Sequence, residues 1–263
     1  NTNPVSEIDN LRRVSVLGPG GINRERASFS IRDINASQYG RIDPVRSPEG
    51  PNIGLVTYLA LYARVNEFGF LETPYRKVER IEKQGKTLVK ITDEVVYLTA
   101  DDDAKYHITH SGVTTDEEGF ILDERVPYRF NNTFLEGSAE LIEYIDLTPR
   151  QVFGASASLI PFLAHDEGNR ALMGSNMQSQ AVPLVSPHSP IVGTGMEGEI
   201  ASAMGHVIFS DFDGIVDFVD ASRVEVRLES KGVKPARSSA EMTEDGKRAI
   251  YHLTKFKRTA QST

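Results

Sequence analysis

Short alternations of apolar and polar residues, separated by turn residues, make up most of the chain. An alternation of period two over about four to eight residues is typical of a half-buried β-strand. In the region 70–147 the pattern predicts strands at Thr87–Thr92, Val95–Thr99, Tyr106–Thr109, Gly119–Leu122 and Arg125–Phe130. It also predicts a strand at 27–33 and a hairpin at 207–219 that turns at Asp213-Gly214. The whole pattern predicts a β-rich α+β fold with short helices and several small antiparallel sheets.

Helices are predicted from spacing and from capping residues. Asn52 could cap a helix whose apolar face is formed by Ile53, Val56, Leu59, Ala60 and Ala63. The segment Thr148-Pro149-Arg150-Gln151 contains the cap, the proline and the glutamine of a capping box. Another helix is predicted to open at Asp166 and to continue through 167–180. Residues 1–17 begin with turn residues at Asn3-Pro4 and Ser6, and a short apolar alternation follows at Val14, Val16 and Leu17.

The helix predicted after Asp166 has one face of mixed chemistry. Arg170, Met173, Asn176 and Met177 follow at helical spacing and therefore share one side. Arginine, methionine and asparagine together are unusual for a core face, which favours a binding role. The alternative is an arginine that extends along a seam between two domains.

Composition excludes several classes of protein. The 263 residues are 39% hydrophobic and 25% charged, which is ordinary for a globular chain. No apolar run is long enough to span a membrane, and the polar start has no secretory signal. The absence of cysteine excludes disulfides and thiolate metal sites, and it is consistent with a cytoplasmic protein. Since the chain does not begin with methionine, we expect a piece of a longer protein.

Charge is distributed unevenly along the sequence. The net charge of −8 argues against a freestanding nucleic-acid-binding protein. Residues 1–56, however, contain seven arginines and no lysine, and arginine suits contacts to phosphate. Of these, Arg32, Arg41 and Arg46 are expected to be buried partners of Asp33, Asp43 or Glu49. The acidic runs at 101–103 and 116–118 are expected in solvated turns.

Two candidate metal sites are weak. His107 and His110 would lie on opposite faces of a strand, and no third ligand is near in sequence. The segment Asp211-Phe212-Asp213-Gly214 resembles part of a polymerase magnesium signature but has Ile215 where a further carboxylate is needed. A metal-dependent nuclease is therefore a remote alternative, and no metal ligand is predicted in this chain.

Several long motifs together resemble the β subunit of bacterial DNA-directed RNA polymerase. They lie in the family's order, at 12–21, 24–26, 39–41, 48–55, 68–76, 154–183, 192–197 and 219–223, whereas 78–147 matches only in general β character. The resemblance implies a middle segment of a large multidomain subunit. Region 1–56 would be the fork region with the second half of the rifamycin-binding region, and 57–150 an outer β-rich module. Region 151–185 would be a helical active-centre segment, and 186–263 a β-rich segment leading toward the hybrid-binding region.

The resemblance also implies roles for single residues. Arg170 would contact the triphosphate of the incoming nucleotide, and Met173 and Asn176 would line the same cavity. Arg24, Arg26 and Glu49 would belong to the nucleic-acid and active-centre surface. The positions that match the rifamycin region are Asn10, Arg13, Ser15, Leu17, Asn52 and Val56. The family commonly has histidine at the position of Asn10, which puts rifamycin affinity in doubt.

The implied partners are those of a polymerase. They are the β′ and α subunits, sigma factor, template DNA, RNA and nucleoside triphosphates, with Mg²⁺ held by β′ rather than by this chain. We therefore expect part of a nucleotidyltransferase that is inactive when isolated. The alternative is a noncatalytic structural or interaction piece of a split or truncated β subunit.

Overall fold

The computed structural model describes residues 2–83, 86–204, 207–229, 240–243 and 245–254. The chain divides into two compact units, Thr2–Glu197 and the residues from Gly198 onward. As predicted, the fold is β-rich with short helices and several small sheets.

The first unit contains nine strands and five α-helices among its described residues. Its helices are α1 (Pro4–Leu11), α2 (Phe29–Arg32), α3 (Ala100–Asp103), α4 (Ala155–Ser158) and α5 (Gly168–Gln178). Its strands are β1 (Arg13–Ser15), β2 (Val56–Tyr58), β3 (Arg64–Val65), β4 (Leu71–Lys83), β5 (Lys86–Thr99), β6 (Ile108–Thr109), β7 (Arg125–Phe130), β8 (Thr133–Ser138) and β9 (Tyr144–Asp146). One-turn 3-10 helices lie at Arg24–Arg26, Ala36–Gln38, Ala139–Leu141, Pro149–Val152 and Leu163–His165.

Strands β3 to β9 form one seven-stranded sheet, whose order is β3-β4-β9-β6-β7-β8 with β5 paired to β4. All of its pairs are antiparallel except β6 with β9. The core of the sheet is built from β-branched and aliphatic side chains, including Val78, Val89, Val126, Ile142 and Ile145. Strands β1 and β2 form a separate antiparallel pair.

After helix α6 (Glu197–Ala203), the second unit has a four-stranded antiparallel sheet. Its order is β10-β11-β13-β12, formed by β10 (Gly214–Val219), β11 (Arg223–Leu228), β12 (Glu241–Met242) and β13 (Arg248–His252). Val226, Leu228, Ala249 and Tyr251 form the core of this sheet.

Several local predictions are confirmed. Strand β7 has the predicted bounds, and the predicted strands at 87–92 and 95–99 are parts of the single strand β5. The capping box of Thr148 and Gln151 is present, although the helix that it opens has only one 3-10 turn. Helix α5 begins close to the predicted residue, with Glu167 as its N-cap.

The turn residues at the start of the chain are followed by a helix that was not predicted. Asn3 is the N-cap of α1, because its side-chain oxygen accepts a hydrogen bond of 2.8 Å from the Ser6 amide. Pro4 then occupies the first turn, where a missing amide hydrogen costs nothing. The Asn-Pro pair therefore has the same function here as Thr148-Pro149 has later in the chain.

Two other elements differ from their predictions for steric reasons. The predicted strand at 27–33 contains the short helix α2, whose Phe29 is 88% exposed, so the alternation there marks no buried face. The predicted helix after Asn52 is a turn followed by β2. Gly54 has a φ of +73°, and a Cβ there would lie 2.5 Å from the Arg32 carbonyl oxygen. The positive φ ends any helix before Val56, and the close approach explains why glycine is required here.

The predicted hairpin at 207–219 is also wrong. Strand β10 pairs with β11, and the turn between them is built on Asp220. The Asp220 carboxylate accepts hydrogen bonds of 2.7 Å from the Ser222 amide and 2.8 Å from the Arg223 amide. The segment 207–213 contains no strand.

A buried carboxylate joins the seven-stranded sheet to the segment before β2. Asp103 accepts a hydrogen bond of 3.0 Å from Arg41 and one of 2.6 Å from Arg129. The Tyr75 hydroxyl donates to the same carboxylate at 2.9 Å. The prediction that the run 101–103 is solvated is therefore wrong for Asp103, whose side chain is 1% exposed.

A second buried carboxylate, Asp146, lies at the end of β9. The Tyr39 hydroxyl donates to it at 2.6 Å, and the Gln151 amide group donates to its other oxygen at 3.4 Å. Burial raises the pKa of Asp146 to about 6, because the ionised form loses its hydration. The guanidinium of Arg129 lies 4.5 Å from the centre of the Tyr39 ring, so the two carboxylates belong to one connected polar joint.

We expect Asp103→Asn to lower the free energy of unfolding by about 3 kcal/mol or more, because two buried guanidinium groups lose their anion. Urea denaturation followed by circular dichroism measures the change. Asp101→Asn is the control, since the side chain of Asp101 is 86% exposed. Equal effects of the two substitutions would contradict a special role for the buried pair.

The raised pKa of Asp146 predicts a pH dependence. As pH rises from about 3.8 to about 6, the unfolded chain releases this proton while the folded chain keeps it, so stability falls across that window. Relative to Asp146→Asn, which keeps a neutral side chain, the wild type should lose about 3 kcal/mol. Urea denaturation at a series of pH values measures the difference. A difference that does not change with pH would refute the prediction.

Candidate functional site

Helix α5 forms one wall of an open groove of about 610 Å³. As the spacing predicts, Arg170, Met173, Asn176 and Met177 lie together on this wall. The other lining residues are Pro48, Glu49 and Gln180, so the groove also includes the loop that precedes β2. The structure therefore brings Glu49 together with Arg170, Met173 and Asn176.

The local sequence explains why α5 presents this face. Glu167 caps the helix through a hydrogen bond of 3.2 Å from the Arg170 amide to its carboxylate. The small residues Ala171 and Ser175 are buried on the opposite side, which lets the helix pack closely. With its small side inward, the helix directs its long side chains into the groove.

Arg170 is exposed, and its side chain makes a weak contact of 4.0 Å with the Met173 sulfur. Within the part of the chain that the structure describes, no carboxylate forms an ion pair with its guanidinium. An arginine presents five N–H donors, and here they remain available to an anion. A phosphate or carboxylate group in the groove could accept two of them at once.

Asn176 lines the groove, but its amide group is already engaged. Its oxygen accepts a hydrogen bond of 2.7 Å from Arg46, and its nitrogen donates one of 2.9 Å to the Ser47 carbonyl. Asn176 therefore joins helix α5 to the loop that carries Glu49. Sequence spacing identified its face but not this use of the amide.

Arg24 and Arg26 lie outside the groove, on the one-turn helix that follows the glycine-rich loop. Both are exposed, and neither forms an ion pair with another described residue. Gly18 has a φ of +119°, and a Cβ at Gly21 would lie 2.3 Å from the Val16 carbonyl oxygen. The loop is thus shaped by positions that only glycine fits, as its sequence predicts.

The remaining sequence-predicted positions cluster around α1 and the β1–β2 pair. Ser15 lies directly opposite Val56 across the pair, and Arg13 lies opposite Tyr58. Asn10, Arg13 and Ser15 are exposed, Leu17 and Asn52 are half-buried, and Val56 is 8% exposed. Asn10, Arg13 and Ser15 are therefore the members of this set that are most open to a ligand.

The predicted partners of three arginines are wrong. Arg41 pairs with Asp103, and Arg46 pairs with Asp9 at 3.2 Å. Arg32 donates hydrogen bonds of 2.8 Å to the carbonyl oxygens of Pro51 and Ile53. Burial was predicted correctly for Arg41 and Arg46, but their acidic partners are distant in sequence and could not be chosen from it.

Sequence reasoning also missed Asp9 altogether. This residue is 5% exposed and accepts hydrogen bonds of 2.9 Å from Ser156 and 3.0 Å from Ser179. An aspartate in the interior of a short helix gives no signal of burial unless the helix itself is recognised. The available signal was the Asn3-Pro4 start of α1.

The described ranges contain no candidate metal centre and no candidate membrane span. Within them, no group of three or more histidine and acidic residues is placed to hold a metal ion. The His107 ring instead lies 3.3 Å from the Glu143 carboxylate and stacks on Phe130 at 4.4 Å between ring centres. None of the described helices is long and apolar enough to cross a membrane.

Comparisons with known proteins agree with the motifs. The profile of RNA polymerase Rpb2, domain 3, matches residues 1–65, and that of the RNA polymerase β subunit external 1 domain matches residues 75–148. A DNA-directed RNA polymerase subunit β from Caldicellulosiruptor saccharolyticus is 47% identical over 99% of this chain and 20% of its own length.

Relatives with the same name come from other bacteria. The subunit of Methylacidiphilum infernorum is 46% identical over 99% of the chain and 20% of its own length. That of Sorangium cellulosum is 47% identical over 100% of the chain and 18% of its own length. The chain thus spans about a fifth of the length of the relatives it matches, and it belongs to the family of bacterial DNA-directed RNA polymerase β subunits.

Proposed function

We propose that the chain forms part of the active-centre cleft of a DNA-directed RNA polymerase. Within the complete enzyme it would help to hold template DNA, nascent RNA and the incoming nucleoside triphosphate. The observation that carries the proposal is the guanidinium of Arg170, which lies on the wall of the α5 groove and forms no ion pair with another described residue.

In this proposal Arg170 contacts the triphosphate of the incoming nucleotide. Phosphoryl transfer concentrates negative charge on phosphate oxygens, and a cation fixed in place lowers the free energy of that charge. The exposure of Arg170 and its lack of an acidic partner among the described residues support this role. Met173 offers an apolar, polarisable contact beside it, while Asn176 and Glu49 complete the lining.

Arg24 and Arg26 are proposed to contact nucleic-acid phosphates. Both lie at the end of a loop fixed by glycine conformations, and their charges are not neutralised by described acidic residues in ion pairs. Backbone contacts of this kind contribute affinity without sequence specificity. The site around Asn10, Arg13, Ser15, Leu17, Asn52 and Val56 is proposed to be part of a rifamycin-binding surface of the intact subunit.

The partners are proposals as well. The β′ and α subunits and sigma factor would complete the enzyme in the cytoplasm, and β′ would hold Mg²⁺. When bound, the metal would neutralise charge on the reacting phosphates. The residues of this chain would bind and orient the nucleotide beside it. The four-region division at 1–56, 57–150, 151–185 and 186–263 belongs to the same proposal.

Replacement of Arg170 tests the proposed nucleotide contact. In polymerase assembled with a β subunit that carries this sequence, Arg170→Ala should reduce kcat/KM for nucleotide addition. The reduction should correspond to a loss of about 1–3 kcal/mol of transition-state stabilisation. Co-purification with β′ followed by a single-nucleotide addition assay provides the measurement. Arg125→Ala is the control, since Arg125 is exposed and pairs with Glu136 on the outer module. Wild-type kinetics for Arg170→Ala would refute the assignment.

Salt dependence tests the proposed role of Arg24 and Arg26. Replacing both with alanine removes two phosphate contacts. The negative slope of log affinity against log salt concentration should therefore become shallower by about two. The measurement is binding of the assembled polymerase to a DNA scaffold with a melted region at several KCl concentrations. An unchanged slope would mean that these arginines do not neutralise phosphates.

A further inference from the structure

A buried polar cluster fixes helix α5 to two other segments of the first unit. We name Asp9, Arg46, Asn176 and Ser179 the α5 anchor. Asp9 belongs to α1, Arg46 to the loop before β2, and Asn176 and Ser179 to the C-terminal end of α5. Arg46 is 5% exposed, so its hydrogen-bond donors depend on protein groups rather than on water.

The guanidinium of Arg46 is the centre of this anchor. One terminal nitrogen donates to Asn176 at 2.7 Å, and the other donates to Ser179 at 2.8 Å and lies 3.2 Å from the Asp9 carboxylate. Its plane lies over the Tyr58 ring at 4.9 Å. A planar fork can hold all of these partners at once, whereas the single ammonium group of lysine cannot.

Asn3, the N-cap of α1, makes a second set of contacts with the segment at the end of α5. The Asn3 side chain donates hydrogen bonds of 2.9 Å to the Gln178 carbonyl and 2.8 Å to the Ala181 carbonyl. Gln178 is the last residue of α5 and Ala181 lies three residues beyond it, where helical partners run out. Rotation and translation of the helix are therefore restricted at the end remote from Arg170.

These contacts matter for Arg170 because α5 is short and its buried side consists of small residues. Small side chains give a helix little lateral resistance, so the polar anchor must supply the constraint. Arg170 and Asn176 are on one rigid helix, and movement of Asn176 displaces Arg170. A displaced guanidinium no longer meets a bound phosphate at hydrogen-bonding distance, so nucleotide binding weakens.

We propose that Arg46, held by Asp9 and bound to Asn176 and Ser179, is a positioning residue for Arg170. It acts through α5 and touches no substrate. This inference rests on the proposed function, since it assumes that Arg170 binds the nucleotide. It predicts that nucleotide affinity depends on a buried arginine that does not line the groove.

The test is Arg46→Lys in the assembled polymerase. This change keeps the charge next to Asp9 but removes the fork that reaches Asn176 and Ser179. KM for the nucleotide should rise about tenfold with kcat changed by less than about twofold, since the loss is one of binding geometry. Arg41→Lys is the matched control, because Arg41 is equally buried and paired but contacts no residue of α5. It should leave KM within about twofold of the wild type.

A milder variant and a double variant complete the test. Ser179→Ala removes one hydroxyl of the anchor, should preserve folding, and should raise KM by about threefold. In the Arg170→Ala background, Arg46→Lys should cause no further rise, because both changes would remove the same contact. Additive effects in the double variant, equal effects of the two lysine substitutions, or unchanged KM in both Arg46→Lys and Ser179→Ala would overturn the positioning role. Wild-type kinetics in Arg170→Ala would instead overturn the proposed function itself.

Discussion

The burial of Asp103 between Arg41 and Arg129 is the constraint on which the first unit depends. A carboxylate with 1% exposure is tolerated only where cations and hydrogen-bond donors replace its water. Its partners come from the loop before β2, from β4 and from β7, which are far apart in the sequence. Satisfying one charge therefore fixes the seven-stranded sheet against the arginine-rich segment.

The same principle acts a second time at the groove. Asp9 and Arg46 are buried together, and the hydroxyls of Ser156 and Ser179 satisfy the remaining lone pairs of the carboxylate. Around them the packed side chains are small, such as Ala155, Ala157 and Ala171. Such residues bury little apolar area, so the relative placement of α1, α4 and α5 depends strongly on polar contacts. Polar contacts are directional, and direction is what a binding groove requires.

The sequence was sufficient for elements whose signals are local. The capping box at Thr148, the start of α5 and the bounds of β7 depend on neighbouring residues, and all were predicted. The helix after Asn52 and the strand at 27–33 failed because distant backbone decides them, as the contact of Gly54 with Arg32 illustrates. At the groove, the shared face of Arg170 and Asn176 followed from helical periodicity. The link from Asn176 to Arg46 spans 130 residues, and no periodicity in one sequence reports it.

The arginines of the first 56 residues show how a structure separates exposed cations from internally paired ones. Arg41 and Arg46 are held by buried carboxylates, and Arg12 and Arg32 donate to backbone carbonyl oxygens. Arg13, Arg24 and Arg26 are exposed and form no ion pair within the described residues. Composition alone does not distinguish the seven arginines as phosphate contacts. The positions of the acidic side chains in the structure do, because they show which guanidinium groups are already paired. Arg170 belongs with the second group, and the helix that carries it is hydrogen-bonded by Arg46, a member of the first. A cation is available to a substrate anion when no acidic side chain of the fold is paired with it. The buried arginines pair with the buried carboxylates, and the exposed arginines therefore keep their charge available.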